Sequence, residues 1–478
     1  MKNDKKFSRN VKIISDAVMF GVFIFIIFMP FALLVITGKT SSPLSYEAEA
    51  ALPEMSLTSY LDGELTTGLQ DWVSKSWPLR STLVLTYNQM IYDIDSWGAS
   101  QPKVNVPDVT VLEETTSPDD IQNAETEEEV PPPSPYADFN PLYAEVNRLQ
   151  YEDPMIEPTG YRGTSQVVIG KSGVLYENGY INEYHGYSKM YRDVTPETIN
   201  EQVEKLEFIQ EKLKERGIAF VLVFSPSKGA EYPQAVPDWY KAMYVESSDY
   251  VRPFDMMIER LESSTINYIN SSALYDEVGL EVTFPKTGIH WNKLASFETI
   301  KAMIASYEEQ TGETIRHITA DKLNKSTEPP GFGNPEKDIF GIIYSATPNA
   351  ERIVDEYYYW PEIYVENEDC DNTINMFIQG GSFTGDFTAY FPMFGITNRI
   401  RSVYYNQDKE LFGRDTSVID NRWARHLRDC DYVVFECNEQ FVRGFGGNSP
   451  QWAHADVTGY PIGNRVYESL YDYLTRNG

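Results

Sequence analysis

The chain has 478 residues, too many for one small domain, and the natural expectation is one large α/β domain with accessory segments. A formal net charge of -31 leaves no basic stripe to neutralise phosphates, which excludes a nucleic-acid partner. The 3 cysteines form no Cys-x-x-Cys pair and the 5 histidines are scattered, so neither a structural zinc site nor another metal centre is expected.

At the amino terminus Lys2, Lys5, Lys6, Arg9 and Lys12 precede an uncharged run from Ala17 to Gly38. That run is long enough to cross about 30 Å of hydrocarbon as a helix, and the basic flank keeps its end in the cytoplasm. Residues 1–38 are therefore read as a cytoplasmic tail and a transmembrane anchor, with the main domain extracellular on a single-pass cell-membrane protein. A cleaved signal peptide is the alternative, but the run exceeds the usual apolar core of such a peptide.

Residues 39–98 read as an extracellular helical segment. Leu61, Leu65, Leu69, Trp72 and Val73 recur at helical steps, Trp77-Pro78 breaks the pattern, and Leu83, Tyr87, Met90, Ile91 and Ile94 resume it. Residues 99–159 differ. Glu113, Glu114, Asp119, Asp120 and Glu127-Glu128-Glu129 lead to Pro131-Pro132-Pro133, too charged and too poor in apolar residues to fold alone, and this stretch reads as an acidic, Pro-rich linker or loop.

From 160 to 478 strands and helices alternate, the signature of a three-layer α/β domain on a parallel sheet. Two apolar runs around Lys171-Ser172-Gly173 predict a β-hairpin. Thr195-Pro196-Glu197 opens a helix that Gly217 ends, and Ile218 to Phe224 is a continuous apolar strand of the kind buried on both faces. It runs into Ser225-Pro226-Ser227-Lys228 at the carboxyl end, where ligands bind in such sheets, so Lys228 either borders a substrate groove or is a solvated lysine. Further on come a helix near 251–261, a short strand at 266–269, and a helix capped by Asn292 and running to about Glu309. Residues 310–372 are irregular and polar, a strand-rich lid or rim. The apolar run from Ile374 to Gln379, a strand at 400–405, a helix near 421–427, the strand Tyr432 to Phe435 and a helix from Gly463 to Leu474 complete the domain.

Two stretches carry chemistry. Gly380-Gly381-Ser382-Phe383-Thr384 ends a strand in a tight turn whose small residues would let a serine hydroxyl stand clear beside backbone N–H groups, as a nucleophile requires, although Gly-Gly-Ser is also an ordinary turn. Thr287-Gly288-Ile289-His290-Trp291-Asn292 supplies a histidine between a strand and a capped helix, where its imidazole could take the Ser382 proton or be a structural histidine.

The order of these stretches resembles the SGNH-hydrolase-like domain of the alginate O-acetyltransferase family. The residues that carry the resemblance are Trp77-Pro78-Leu79-Arg80, Ile169 to Tyr176, Ser225 to Lys228 with Tyr232-Pro233, Thr287 to Trp291, Gly380 to Phe383 and Glu436 to Glu439. The resemblance implies an extracytoplasmic protein that acetylates an exopolysaccharide or wall polymer. Its acetyl donor would be delivered by a membrane-bound O-acyltransferase, and no cofactor is implied. It makes Ser382 the nucleophile that carries the acetyl ester and His290 the general base.

This sequence departs from the family pattern at two places. Gly288 stands where the family has the Asp that orients the histidine, and Gly381 where it commonly has Asp before the serine. Glu436, Glu439 or Asp386 could supply the missing carboxylate; a Ser-His dyad, or a fold that has lost catalysis, are the other options. Asn438 is a candidate oxyanion donor or a structural asparagine, and Trp291 packs beside His290 or stacks on a sugar. A carbohydrate esterase on the same fold, or a non-catalytic polysaccharide-assembly subunit, are the competing functions. Cys370 and Cys430 each precede a predicted strand and could form a disulfide, leaving Cys437 free.

Overall fold

A computed structural model of the chain describes residues 140–147, 155–158, 163, 167–244, 249–334, 336–339, 356–404, 408–411, 415–445 and 464–478. The expected anchor at 17–38, the paired helices of 57–97 and the acidic stretch up to 139 lie outside the described residues. Among the described residues no helix is long and apolar enough to cross a membrane.

The centre is a five-stranded sheet of β3 (Ala219–Ser225), β4 (Tyr268–Asn270), β7 (Ile374–Gly380), β8 (Thr397–Tyr404) and β9 (Tyr432–Asn438). Its order is β4-β3-β9-β7-β8, and every pairing is parallel. The apolar runs of β3, β7 and β9 are continuous because both faces of the sheet are covered. Val221 and Val223 of β3 and Tyr432 and Val434 of β9 enter one core. Phe220, Leu222, Phe224, Val433 and Phe435 enter the other.

Helices fill the two outer layers. After α1 (Asn178–Tyr184) come α2 (Pro196–Lys214), α3 (Pro253–Glu262), α4 (Ser271–Val278), α5 (Lys293–Thr311), α6 (Gly385–Met393), α7 (Thr416–Leu427) and α8 (Asn464–Asn477). Helices α4, α5 and α6 pack on the first core, and α2, α3, α7 and α8 on the second. The caps act as their residue types suggest. Thr195 Oγ1 accepts from Thr198 N at 3.4 Å before α2, and Asn292 Oδ1 accepts from Leu294 N and Ala295 N at 3.1 and 2.9 Å before α5. Helix α4 has no counterpart in the sequence reading, because its polar start, Ser271-Ser272, hides the apolar step.

The expected hairpin is β1 (Val167–Ile169) paired antiparallel with β2 (Leu175–Glu177). Within the irregular stretch 310–372, β5 (Ile318–Ser326) and β6 (Tyr358–Val365) form a separate antiparallel pair.

Two expectations need correction. Part of the stretch read as linker is packed: Tyr143 is fully buried, its hydroxyl donates to Glu298 Oε1 at 2.5 Å, and Asn147 Nδ2 donates to the carbonyl of Gly279 at 2.7 Å. The domain therefore begins before residue 160, because a short amphipathic turn at its edge carries its own apolar anchor. The cysteines also stay apart: Cys370, Cys430 and Cys437 are all free thiols. Although β7 and β9 are neighbours, Cys370 faces the Thr314 carbonyl beyond α5, whereas Cys430 is buried in the opposite core.

Candidate active site

The carboxyl ends of β3, β9 and β7 lie side by side at one edge of the sheet. Ser225 pairs in register with Asn438, and β7 delivers Gly380 beside Glu436. A Cβ on Gly380 would come within 2.5 Å of Thr384 Cγ2 and 2.6 Å of Glu436 Oε2, so only glycine fits there. Glu436 is buried. One of its oxygens accepts from Ser225 Oγ at 2.5 Å and the other from Gly381 N at 2.6 Å. Its carboxylate thus fixes the Gly380–Gly381 peptide, and burial pushes its pKa up to about 7. Ser382 then opens a 3₁₀ turn, Ser382–Thr384, that leads into α6, with Phe383 buried and Ser382 half-buried. This is the strand–turn–helix presentation expected of a nucleophile.

His290 sits on the loop before α5. Its Nδ1 is 2.6 Å from Asp338 Oδ2, and the other oxygen of Asp338 accepts from Ile289 N at 2.9 Å. Nδ1 donating to the carboxylate leaves Nε2 as the basic nitrogen. Nε2 is buried and has no hydrogen-bond partner among the described residues. The imidazole lies 5.0 Å, centroid to centroid, from the ring of Phe383, the residue after Ser382. The fold thus brings the two sequence candidates, His290 and the Ser382 turn, to one place.

The carboxylate at His290 comes from Asp338, not from Glu436, Glu439 or Asp386. It arrives on a strap, residues 331–334 and 336–339, between β5 and β6. Asn334 N donates to Asp386 Oδ1 at 3.0 Å, and Asn334 Nδ2 donates to the Phe383 carbonyl at 3.0 Å. Glu336 Oε1 accepts from Lys293 N at 2.7 Å, at the first turn of α5. Burial pushes the Glu336 pKa up to about 8. The strap also explains Gly288. A Cβ at 288 would lie 2.3 Å from the Glu336 carbonyl oxygen, so backbone occupies the place of any side chain there. Gly288 and Asp338 are two halves of one arrangement. The signal in the sequence was Gly331-Phe332-Gly333-Asn334, a turn-rich stretch directly ahead of Asp338, but nothing local ties it to a histidine 48 residues upstream.

The remaining candidates serve the scaffold. Asp386 holds a fully buried ion pair with Lys293 Nζ at 2.6 Å and accepts from Trp291 Nε1 at 2.9 Å. Trp291 is fully buried, edge-on to Phe383 at 5.3 Å, and so backs the site instead of lining a groove. Glu439 pairs with Arg252 at 2.7 Å and accepts from Ser272 Oγ at 2.8 Å. Asn438 Nδ2 donates to Ser225 Oγ at 3.2 Å and to the Pro226 carbonyl at 2.7 Å, which joins the ends of β9 and β3 and occupies its amide.

Lys228 is neither solvated nor on a groove. It is fully buried, and Nζ donates to the carbonyls of Pro285, Lys286 and Gly288 at 2.6, 3.0 and 2.7 Å. Burial pushes its pKa down to about 7, opposed by the Glu356 and Asp338 carboxylates. One ammonium thus clamps the loop that carries His290. Lys228→Met leaves three carbonyls without their donor and is expected to cost about 2–3 kcal/mol. Thermal unfolding would register the loss, and turnover would fall with it because the histidine loop is no longer pinned.

No protein-family model and no curated protein matches the chain. Solved structures similar to it include the O-acetyltransferase domain of Pseudomonas putida AlgJ, at 12% identity and a TM-score of 0.38, over 60% of this chain and 97% of that one. Pseudomonas aeruginosa AlgX is similar at 14% identity and a TM-score of 0.34, over 57% of this chain and 61% of that one. Bacillus cereus PatB1, solved with a sulfonyl adduct, is similar at 14% identity and a TM-score of 0.35, over 58% of this chain and 97% of that one.

Proposed function

We propose that the chain is an O-acetyltransferase of an extracellular or cell-wall polysaccharide, working through an acetyl ester on Ser382. What supports this reading most is the contact of His290 Nδ1 with Asp338 beside the Ser382 turn, with Nε2 unpartnered among the described residues. Asp338 supports a catalytic reading because it gives His290 a carboxylate that position 288 does not supply. In the first half-reaction Ser382 Oγ attacks the carbonyl carbon of an acetyl donor while His290 Nε2 takes its proton. The leaving group then departs with that proton. In the second, a sugar hydroxyl gives its proton to Nε2 and attacks the acetyl carbon. The bond to Ser382 Oγ breaks, and the proton returns to that oxygen. The donor is proposed to be supplied by a membrane-bound O-acyltransferase, with residues 17–38 as the anchor that keeps the domain at the outer face of the membrane.

Turnover of p-nitrophenyl acetate by the full chain in detergent tests the reading. Ser382→Ala and His290→Ala are each expected to lose about 10³-fold or more in kcat. Equal slow turnover by all three proteins would overturn it and favour a non-catalytic assembly subunit.

A further inference from the structure

The antiparallel pair of β5 and β6 has two faces. Ala320, Leu323, Tyr359 and Ile363 turn inward and pack on the core that α5 also enters. Side chains alternate along a strand, so Tyr358, Trp360, Glu362 and Tyr364 share the opposite face of β6. In register, Asn324 stands across from Trp360 and Thr319 across from Tyr364. Tyr364 is 46% exposed, Trp360 is half-buried and Glu362 is exposed. Among the described residues neither the Trp360 nor the Tyr364 ring meets another ring, and the side chains of Trp360, Asn324 and Thr319 make no hydrogen bond.

The row starts at the candidate active site. The Tyr358 hydroxyl lies 2.6 Å from Thr287 Oγ1, on the loop that carries His290. Thr287 Oγ1 also donates at 2.6 Å to Glu356, just ahead of β6, so strand and loop are tied side chain to side chain. From Tyr358 the strand carries Trp360 about 7 Å away and Tyr364 about 20 Å away. One exposed aromatic is ordinary on a protein surface. Here two stand in line on a strand backed by the core, each facing a polar side chain with hydrogen-bonding capacity to spare.

That pattern fits the chemistry of a sugar chain. Aromatic faces pack on the C–H faces of sugar rings, and the amide and hydroxyl beside them meet the sugar hydroxyls. A straight row of this length suits an extended chain. Glu362 stands within it on a protein of net charge -31, which repels a polyanion. We infer that the outer face of β6 is a track for the acceptor, an extended uncharged polysaccharide, with Trp360 and Tyr364 stacking on sugars beyond the one that is acetylated. The inference rests on the acetyl-Ser382 reading above.

The test is the length of the acceptor. The full chain in detergent is supplied with p-nitrophenyl acetate and with glucose, cellohexaose or a β-1,4-linked glucuronate hexamer. For each acceptor kcat/KM for acetyl-sugar formation is measured in wild type, Trp360→Ala, Tyr364→Ala and Trp360→Phe. Wild type is expected to favour cellohexaose over glucose by about 100-fold, about tenfold for each stacked ring. Each alanine variant should lower that advantage about tenfold, and Trp360→Phe, which keeps a ring, should retain most of it. The advantage is a ratio within one protein, so a general loss of folded or acylated enzyme cancels. Equal use of glucose and cellohexaose by wild type, an advantage that survives both alanine variants, or a preference for the glucuronate hexamer would overturn the track. A wild type that forms no acetyl-Ser382 would count against the proposed function itself. The track would then stand on calorimetric binding of cellohexaose to wild type that Trp360→Ala loses, and fall if wild type does not bind it.

Discussion

Asp338→Asn is expected to slow acetyl transfer by about 10⁴-fold, with the fold intact. An asparagine keeps an oxygen for Ile289 N, which now donates to Asp338 at 2.9 Å. Its amide turns an N–H toward His290 Nδ1, where the carboxylate oxygen sits at 2.6 Å. The imidazole then prefers the tautomer with its proton on Nε2, and that nitrogen is no longer a base. The positive charge that develops on the ring also loses its counter-ion. Steady-state kcat on p-nitrophenyl acetate, with circular dichroism as the check on folding, measures the effect. A loss below about tenfold would mean that the histidine works as the base of a dyad and that Asp338 only shapes the loop.

Gly288→Asp carries the second large effect, and its direction opposes what the resemblance implies. Restoring the family's aspartate would be the obvious repair for a weakened site. Here the added Cβ would meet the Glu336 carbonyl oxygen at 2.3 Å and its carbon at 2.8 Å. Both are backbone atoms of the strap, which cannot move without carrying Asp338 away from His290. A third carboxylate would also enter a buried region that already holds Glu336 and Asp338. Turnover is expected to fall about 100-fold or more, and stability by about 1–3 kcal/mol through overpacking. Gly288→Ala shares the clash without the charge and should lose much of the same activity. A Gly288→Asp protein more active than wild type would show that the strap yields and that position 288 can house the orienting carboxylate.

The legible part of this molecule was what local pattern encodes. The apolar runs at 218–224 and 432–435 read as strands, and they fall on β3 and β9. The caps at Thr195 and Asn292 sit where their side chains reach the first turns of α2 and α5. The glycine pair before Ser382 and the loop before α5 placed both reactive candidates, because each is a short-range arrangement of strand, turn and helix.

The partners that complete the site were not legible, because they come from far along the chain. Asp338 reaches His290 from a strap whose own sequence has no regular period. Lys228 looks like a surface residue until the three carbonyls it binds are in view. Glu436 and Asp386 looked interchangeable as carboxylates. Their neighbours separate them: Glu436 receives Gly381 N, and Asp386 is neutralised by Lys293. Gly288 read as a defect because the backbone that fills its place lies 48 residues away at Glu336, a separation shared with the His290–Asp338 contact.

Rapid-quench peptide mapping of the full chain after mixing with p-nitrophenyl acetate tests the central claim most directly. The expected result is an acetyl group on the peptide that contains Ser382, formed within one turnover and then discharged. It should be missing in Ser382→Ala and strongly delayed in Asp338→Asn. An acetyl group found only on surface lysines or tyrosines, in equal amount with and without Ser382, would contradict the account.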